Sequence, residues 1–161
     1  MRLIPYILYL LVIGLEQTIL RDLLSIYGVT FDLTALLVLG VALYKSEQTA
    51  LWFGFVAGLV SAAGQPTLIG WHALVLAFVG LTAFHVRERL NLDSLLAKLL
   101  LMFGGIFFHN IAVLIIDQAG GFLYLLGANA LPGAVYTSLL ALLFFGFKEG
   151  LFTYQRLKAI F

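Results

Sequence analysis

The chain has 161 residues, 63% of them hydrophobic and 11% charged, whereas soluble globular domains carry about 25% charged residues. That excludes a soluble fold and confines the protein's work to a bilayer and its two faces. The net charge is only +1 and cysteine is absent, which excludes disulfides, thiolate metal sites and cysteine redox motifs.

Apolar runs of roughly 17–20 residues, enough to cross a hydrocarbon core about 30 Å thick, recur along the sequence. Six of them predict an all-α membrane protein: six transmembrane helices in one compact bundle, a single polytopic domain over residues 1–161. The first helix is predicted at about 3–20, with Pro5 tolerated in its first turn. It continues past Gly14 into Glu16 and Gln17 without an A-x-A-like site, and so reads as an uncleaved first span and not as a signal peptide. Residues 21–30, with Gly28, lead to a second helix at about 29–44, which ends in a tight turn at Lys45, Ser46, Glu47 and Gln48. The third, about 49–63, is closed by Gly64, Gln65 and Pro66.

The fourth helix is predicted at about 68–86, ending in Arg87, Glu88 and Arg89. Asp93 or Ser94 then offers an N-cap for the fifth, 95–116. Residues 117–129 hold Gly120, Gly121 and Gly127 around the apolar Phe122–Leu126. This segment is expected to dip into the membrane surface or to cover the bundle. The sixth helix is predicted at about 131–147, followed by an amphipathic tail. The second and third spans are short, about 15–16 residues or 24 Å of helix, so they must stand nearly upright or thin the bilayer.

Eight of the nine Lys and Arg residues (Arg2, Lys45, Arg87, Arg89, Lys98, Lys148, Arg156 and Lys158) fall at the termini and even-numbered loops, with Arg21 alone opposite. By the positive-inside rule both ends are cytoplasmic and the chain is multi-pass. Cations placed this way are topology determinants, so no nucleic-acid partner is expected; the partner they imply is the lipid bilayer. Tyrosines and the tryptophans Trp52 and Trp71 fall where spans meet water, as interfacial belts do.

Helices in lipid associate through small residues and shared polar groups. Gly54, Gly58 and Ala62 form one such stripe in the third span, and Ala73 and Ala77 another in the fourth. Both are candidates for packing within the bundle or for docking a partner's transmembrane helix. Ionisable groups inside a span cost about 3 kcal/mol or more each at the bilayer centre. Four of them, Glu16, His72, His109 and Asp117, are expected to lie near the outer face, with His109 the deepest. Each could snorkel or pair once within the bundle. Together they could form a polar ligand site or, less readily, a proton relay. Neither a metal-ligand pair at one-turn spacing, nor a nucleophile elbow, nor a phosphate-cradling glycine loop is present, so neither enzymatic activity nor a cofactor is expected.

From the second span onward the sequence resembles the MreD family, the rod shape-determining membrane proteins of bacteria. The likeness is carried by Phe31–Leu43 led by Asp32, by Gly54, Phe55 and Gly58 in the third span, by Gly70, Trp71, Ala73 and Leu74 at the start of the fourth, and by Leu131–Tyr136 with Ser138, Leu139 and Leu140 in the last. The family commonly has an Asp about four residues after the second glycine of the third span, where this chain has Ser61, Ala62 and Ala63. The resemblance implies a non-enzymatic subunit of the cell-elongation machinery in the cytoplasmic (inner) membrane. Its partners would be a bitopic MreC-like protein, the elongation glycosyltransferase with its transpeptidase and, indirectly, the MreB filament. It also implies a fold similar to the substrate-binding subunits of energy-coupling-factor transporters. The alternative expectation is such a vitamin-uptake subunit itself, with Glu16, His72, His109 and Asp117 lining an outer-facing pocket.

Overall fold

The computed structural model describes residues 4–20, 31–89, 94–116 and 121–148. Among these the secondary structure is helical throughout. Helix α1 (Ile4–Leu15) opens into a wider π-helical turn at Glu16–Leu20. It is followed by α2 (Leu33–Tyr44), α3 (Glu47–Ser61), α4 (Ile69–Arg89) and α5 (Leu95–Ile116). A single turn, α6 (Phe122–Leu125), passes through a second π-helical turn at Leu126–Ala130 into α7 (Leu131–Lys148). Three stretches are long and apolar enough to cross a membrane: Ile69–Arg89, Leu96–Ile116 and Phe122–Gly146. Ile4–Ile19 and Leu33–Tyr44 are shorter apolar helices.

The ends of these helices follow from local chemistry. Helix α2 begins at Leu33 because the Asp32 side chain accepts from the backbone N–H of Ala35; the second predicted helix, drawn from residue 29, begins partly outside the described residues. Helix α3 starts two residues earlier than predicted, after Ser46, and gives way at Ala62 to a turn through Gly64. The segment predicted as a separate outer element behaves differently in its described part, 121–129. Gly121, at φ +77°, makes the left-handed turn that starts α6, and from there the backbone stays helical into α7.

The short helix α2 is the centre of the molecule. It packs against α1, α3, α4, α5 and α7, and Thr34, Ala35, Val38, Leu39, Val41, Ala42 and Leu43 are all buried. A helix apolar around its whole circumference belongs in an interior. Its 12 residues span only about 18 Å of a hydrocarbon core about 30 Å thick. Its N-terminal end is within protein, where the free backbone N–H groups of the first turn need partners, whereas Tyr44 and Lys45 at its other end are exposed.

Helices α3 and α4 form the most extensive helix pair. Their backbones meet because glycines leave room. A Cβ on Gly54 would lie 2.5 Å from the Leu76 carbonyl oxygen and 3.0 Å from Ala77 Cα, and one on Gly58 would lie 2.6 Å from the His72 carbonyl oxygen and press on Ala73. Gly80 gives the same relief against Ala50, whose carbonyl oxygen would be 2.9 Å away. The stripes Gly54/Gly58 and Ala73/Ala77 thus face each other and each covers the other. A second chain would have to displace α4 to reach the first. Ala62 is buried as well, in the turn after α3.

Candidate functional site

The N-terminal turn of α2 collects the polar side chains of four helices. Its backbone explains why. The first N–H groups of a helix have no intrahelical acceptor, and apolar surroundings offer none to replace one. Asp32 Oδ1 accepts from Ala35 N at 2.8 Å, and the Asp32 carbonyl accepts from Leu36 N at 3.1 Å. Glu16, brought in by the π-helical turn that ends α1, accepts from Leu33 N at 3.2 Å through Oε1 and from the Thr34 hydroxyl at 3.1 Å through Oε2. Two carboxylates at a helix N-terminus also match the positive end of its dipole.

Two further helices complete the head. On α7, the Thr137 hydroxyl donates to the Gly133 carbonyl at 2.8 Å and accepts from Asp32 N at 3.0 Å. From α5, His109 Nδ1 meets Asp32 Oδ2 at 2.5 Å. The next residue, Asn110, donates through Nδ2 to the Ala130 carbonyl at 3.2 Å, at the end of the second π-helical turn. Both π-helical turns thus border the cluster, a position in which such turns are often found at functional sites. Glu16, Thr34, His109 and Thr137 are all buried. His109 Nε2 is buried with no hydrogen-bond partner, and a polar group left so costs about 1–3 kcal/mol.

The other end of α2 is closed by a cation. The Arg87 guanidinium, from α4, donates through Nη1 to the carbonyls of Ala42, Leu43 and Lys45 at 3.1, 3.0 and 3.1 Å. It also sits over the Phe84 ring, 4.6 Å from its centroid. The arrangement is thus carboxylates at the positive end of a buried helix and a guanidinium at the negative end.

Of the residues singled out in the sequence, Glu16 and His109 meet on this head, both bonded to residues 32–34. His72 is half-buried in the first turn of α4, its carbonyl against Gly58. Asp117 lies outside the described residues. The sequence reading passed over Asp32, Thr34, Thr137 and Arg87 as site residues. Asp32 was recoverable, because an Asp directly before the apolar run Leu33–Tyr44 is an N-cap signal. Arg87 carried only its topological meaning, and Thr137 no signal at all, since a threonine in an apolar helix ordinarily bonds its own backbone.

Among the described residues no group of three or more His, Asp or Glu side chains could hold a metal ion. Chemically the head can fix a helix, exchange protons, or hold a small polar group. No protein-family model, curated protein or solved structure matches the chain.

Proposed function

We propose that the protein is a non-enzymatic, multi-pass subunit of the bacterial inner membrane that acts as an MreD-like scaffold in the cell-elongation complex. On this reading six helices form one bundle, the shorter apolar helices standing as spans beside the three long ones, and both termini are cytoplasmic. The bundle holds an MreC-like bitopic protein and, with it, the elongation glycosyltransferase and its transpeptidase, and connects indirectly to MreB. The observation that carries the reading is how the charges around α2 are used. Glu16, Asp32 and Arg87 all bond the backbone at the two ends of α2, which suits a rigid body presenting its outer surface. The sequence resemblance points the same way.

With the Gly54/Gly58 stripe covered by α4, the partner's helix would meet an outward face of the bundle and not that stripe. One observation favours the second reading, a substrate-binding subunit of a vitamin-uptake transporter. Nε2 of His109 is buried and makes no hydrogen bond within the protein, which leaves it to a ligand.

Affinity purification of the tagged protein in mild detergent, with mass spectrometry of proteins and small molecules together, separates the two. A co-purifying MreC-like bitopic protein, with rounding of rod-shaped cells on depletion, is the expected result. A retained vitamin or an ATPase module would overturn it.

A further inference from the structure

His109 is held through Nδ1. Its Nδ1 meets Asp32 Oδ2, and that carboxylate is itself pinned. Asp32 Oδ1 caps Ala35, and the Asp32 backbone N–H donates to Thr137. The ring direction is thereby fixed, and Nε2 is buried without a partner on a side chain only 9% exposed. One proton occupies the bond to Asp32. Nε2 is then a bare acceptor when the imidazole is neutral and an N–H donor when it is protonated. Only a group that both donates and accepts suits both states, and the smallest such group is a hydroxyl.

The surroundings define from which end such a group arrives. One and two turns from His109 toward the Leu95 end of α5, Ile106 and Met102 are buried and apolar. The polar groups, Glu16, Thr34 and Thr137, lie at the head of α2 with His109. The Ile116 end of α5 is seven residues away, about 10 Å along the helix. Buried waters typically make about three hydrogen bonds, of which Nε2 supplies one.

We propose that His109 Nε2 is the binding point for a hydroxyl group inside the membrane domain, supplied by a water molecule or by the hydroxyl of a lipid headgroup. The proposal rests on α5 lying in the bilayer and is independent of which partner the protein serves. The hydroxyl completes the chain from Nε2 through the imidazole and Asp32 to the first turn of α2, so that the central helix senses what occupies the site.

The test is water-edited nitrogen NMR on the full chain, labelled at its histidine ring nitrogens and embedded in nanodiscs. One preparation uses phosphatidylcholine alone and the other adds phosphatidylglycerol, whose headgroup carries hydroxyls. The chain has three histidines, so the His109 signal is assigned by its loss in His109→Gln. If that variant does not fold, the signal is assigned by its survival in the double variant His72→Gln, His85→Gln. Transfer to Nε2 from water in both bilayers is one supporting result and identifies water. Transfer that requires phosphatidylglycerol is the other and identifies lipid. No transfer in either bilayer overturns the proposal. Failure of the protein to enter nanodiscs is a separate result that would instead refute the membrane placement.

Discussion

Arg87 and Leu43, forty-four residues apart in sequence, are joined by a 3.0 Å hydrogen bond from the guanidinium Nη1 to the backbone carbonyl. The same nitrogen reaches the carbonyls of Ala42 and Lys45, so a single side chain from α4 serves three carbonyls at the C-terminal end of α2. Replacing Arg87 by Met keeps the stem that packs by Phe84 but removes the donor from three carbonyls. Hydrogen bonds to charged groups contribute about 1.5–3 kcal/mol, and Arg87 is partly exposed, so a loss of about 2 kcal/mol is expected. Arg87→Lys should recover only part of this, since an ammonium lacks the planar fork. Thermal unfolding in detergent checks both. An unchanged midpoint for Arg87→Met would refute the capping role.

At the opposite end, Glu16 divides its two oxygens between Leu33 N and the Thr34 hydroxyl. Glu16→Gln keeps one acceptor and one donor; the hydroxyl of Thr34 can turn to accept, and the N–H of Leu33 keeps the amide oxygen. Glu16→Leu leaves both groups buried with nothing in place of the carboxylate. The leucine variant should therefore lose about 2–4 kcal/mol and the glutamine variant about 1 kcal/mol. Amide exchange at Leu33 and Thr34, measured by mass spectrometry, should rise most in Glu16→Leu. Equal exchange in both variants would argue against this partition.

Much of this head was legible in outline, and the reason is the cost of charge in an apolar span. That cost singles out Glu16, His72, His109 and Asp117, and the structure places Glu16 and His109 on residues 32–34. It does not pair them, because their meeting depends on α2 being short and central, and nothing in the run Leu33–Tyr44 states that its first turn is interior. Helix α5 begins where expected, at Leu95, because Ser94 caps it with a hydrogen bond from Ala97 N. The glycines around Phe122–Leu126 mark the segment before α7 as one that dips into the membrane surface or covers the bundle. Only Gly121 turns the chain, whereas Gly127 sits in a π-helical turn continuous with α7. Composition reports that a glycine is present; it does not distinguish a turn from a close approach.

Gly58 of α3 and Gly40 of α2 offer the sharpest contrast within one chain. A Cβ on Gly58 would strike the backbone of Ala73 and the His72 carbonyl, whereas one on Gly40 would meet nothing within 4 Å. Backbone cannot swing aside as the end of a side chain can, so Gly58→Ala must force α3 and α4 apart. Overpacking of this kind costs about 1–3 kcal/mol. Gly40→Ala, in the interior of α2, should gain about 0.5–1 kcal/mol from helix propensity. Opposite shifts of the unfolding midpoint are expected. It follows that Gly58→Leu would unfold the subunit and not merely release a partner, so loss of a complex in that variant would carry no information about docking.

The membrane placement has its own test. Charge asymmetry puts the turn after α3 on the side opposite the C-terminus. Reporters that are active on one side of the inner membrane only, fused after Gln65 and at the C-terminus, should therefore give opposite signals. Gln65 is a suitable insertion point: it is exposed, and it lies in the turn between α3 and α4. The opposing result, equal signals at both sites, would mean that an odd number of the helices between them fails to cross. The long apolar helices α4 and α5 and the run Phe122–Gly146 all lie between the two reporters. Three crossings separate the sides and two do not, so the experiment tests the long helices directly and leaves the short, buried α2 out of the count.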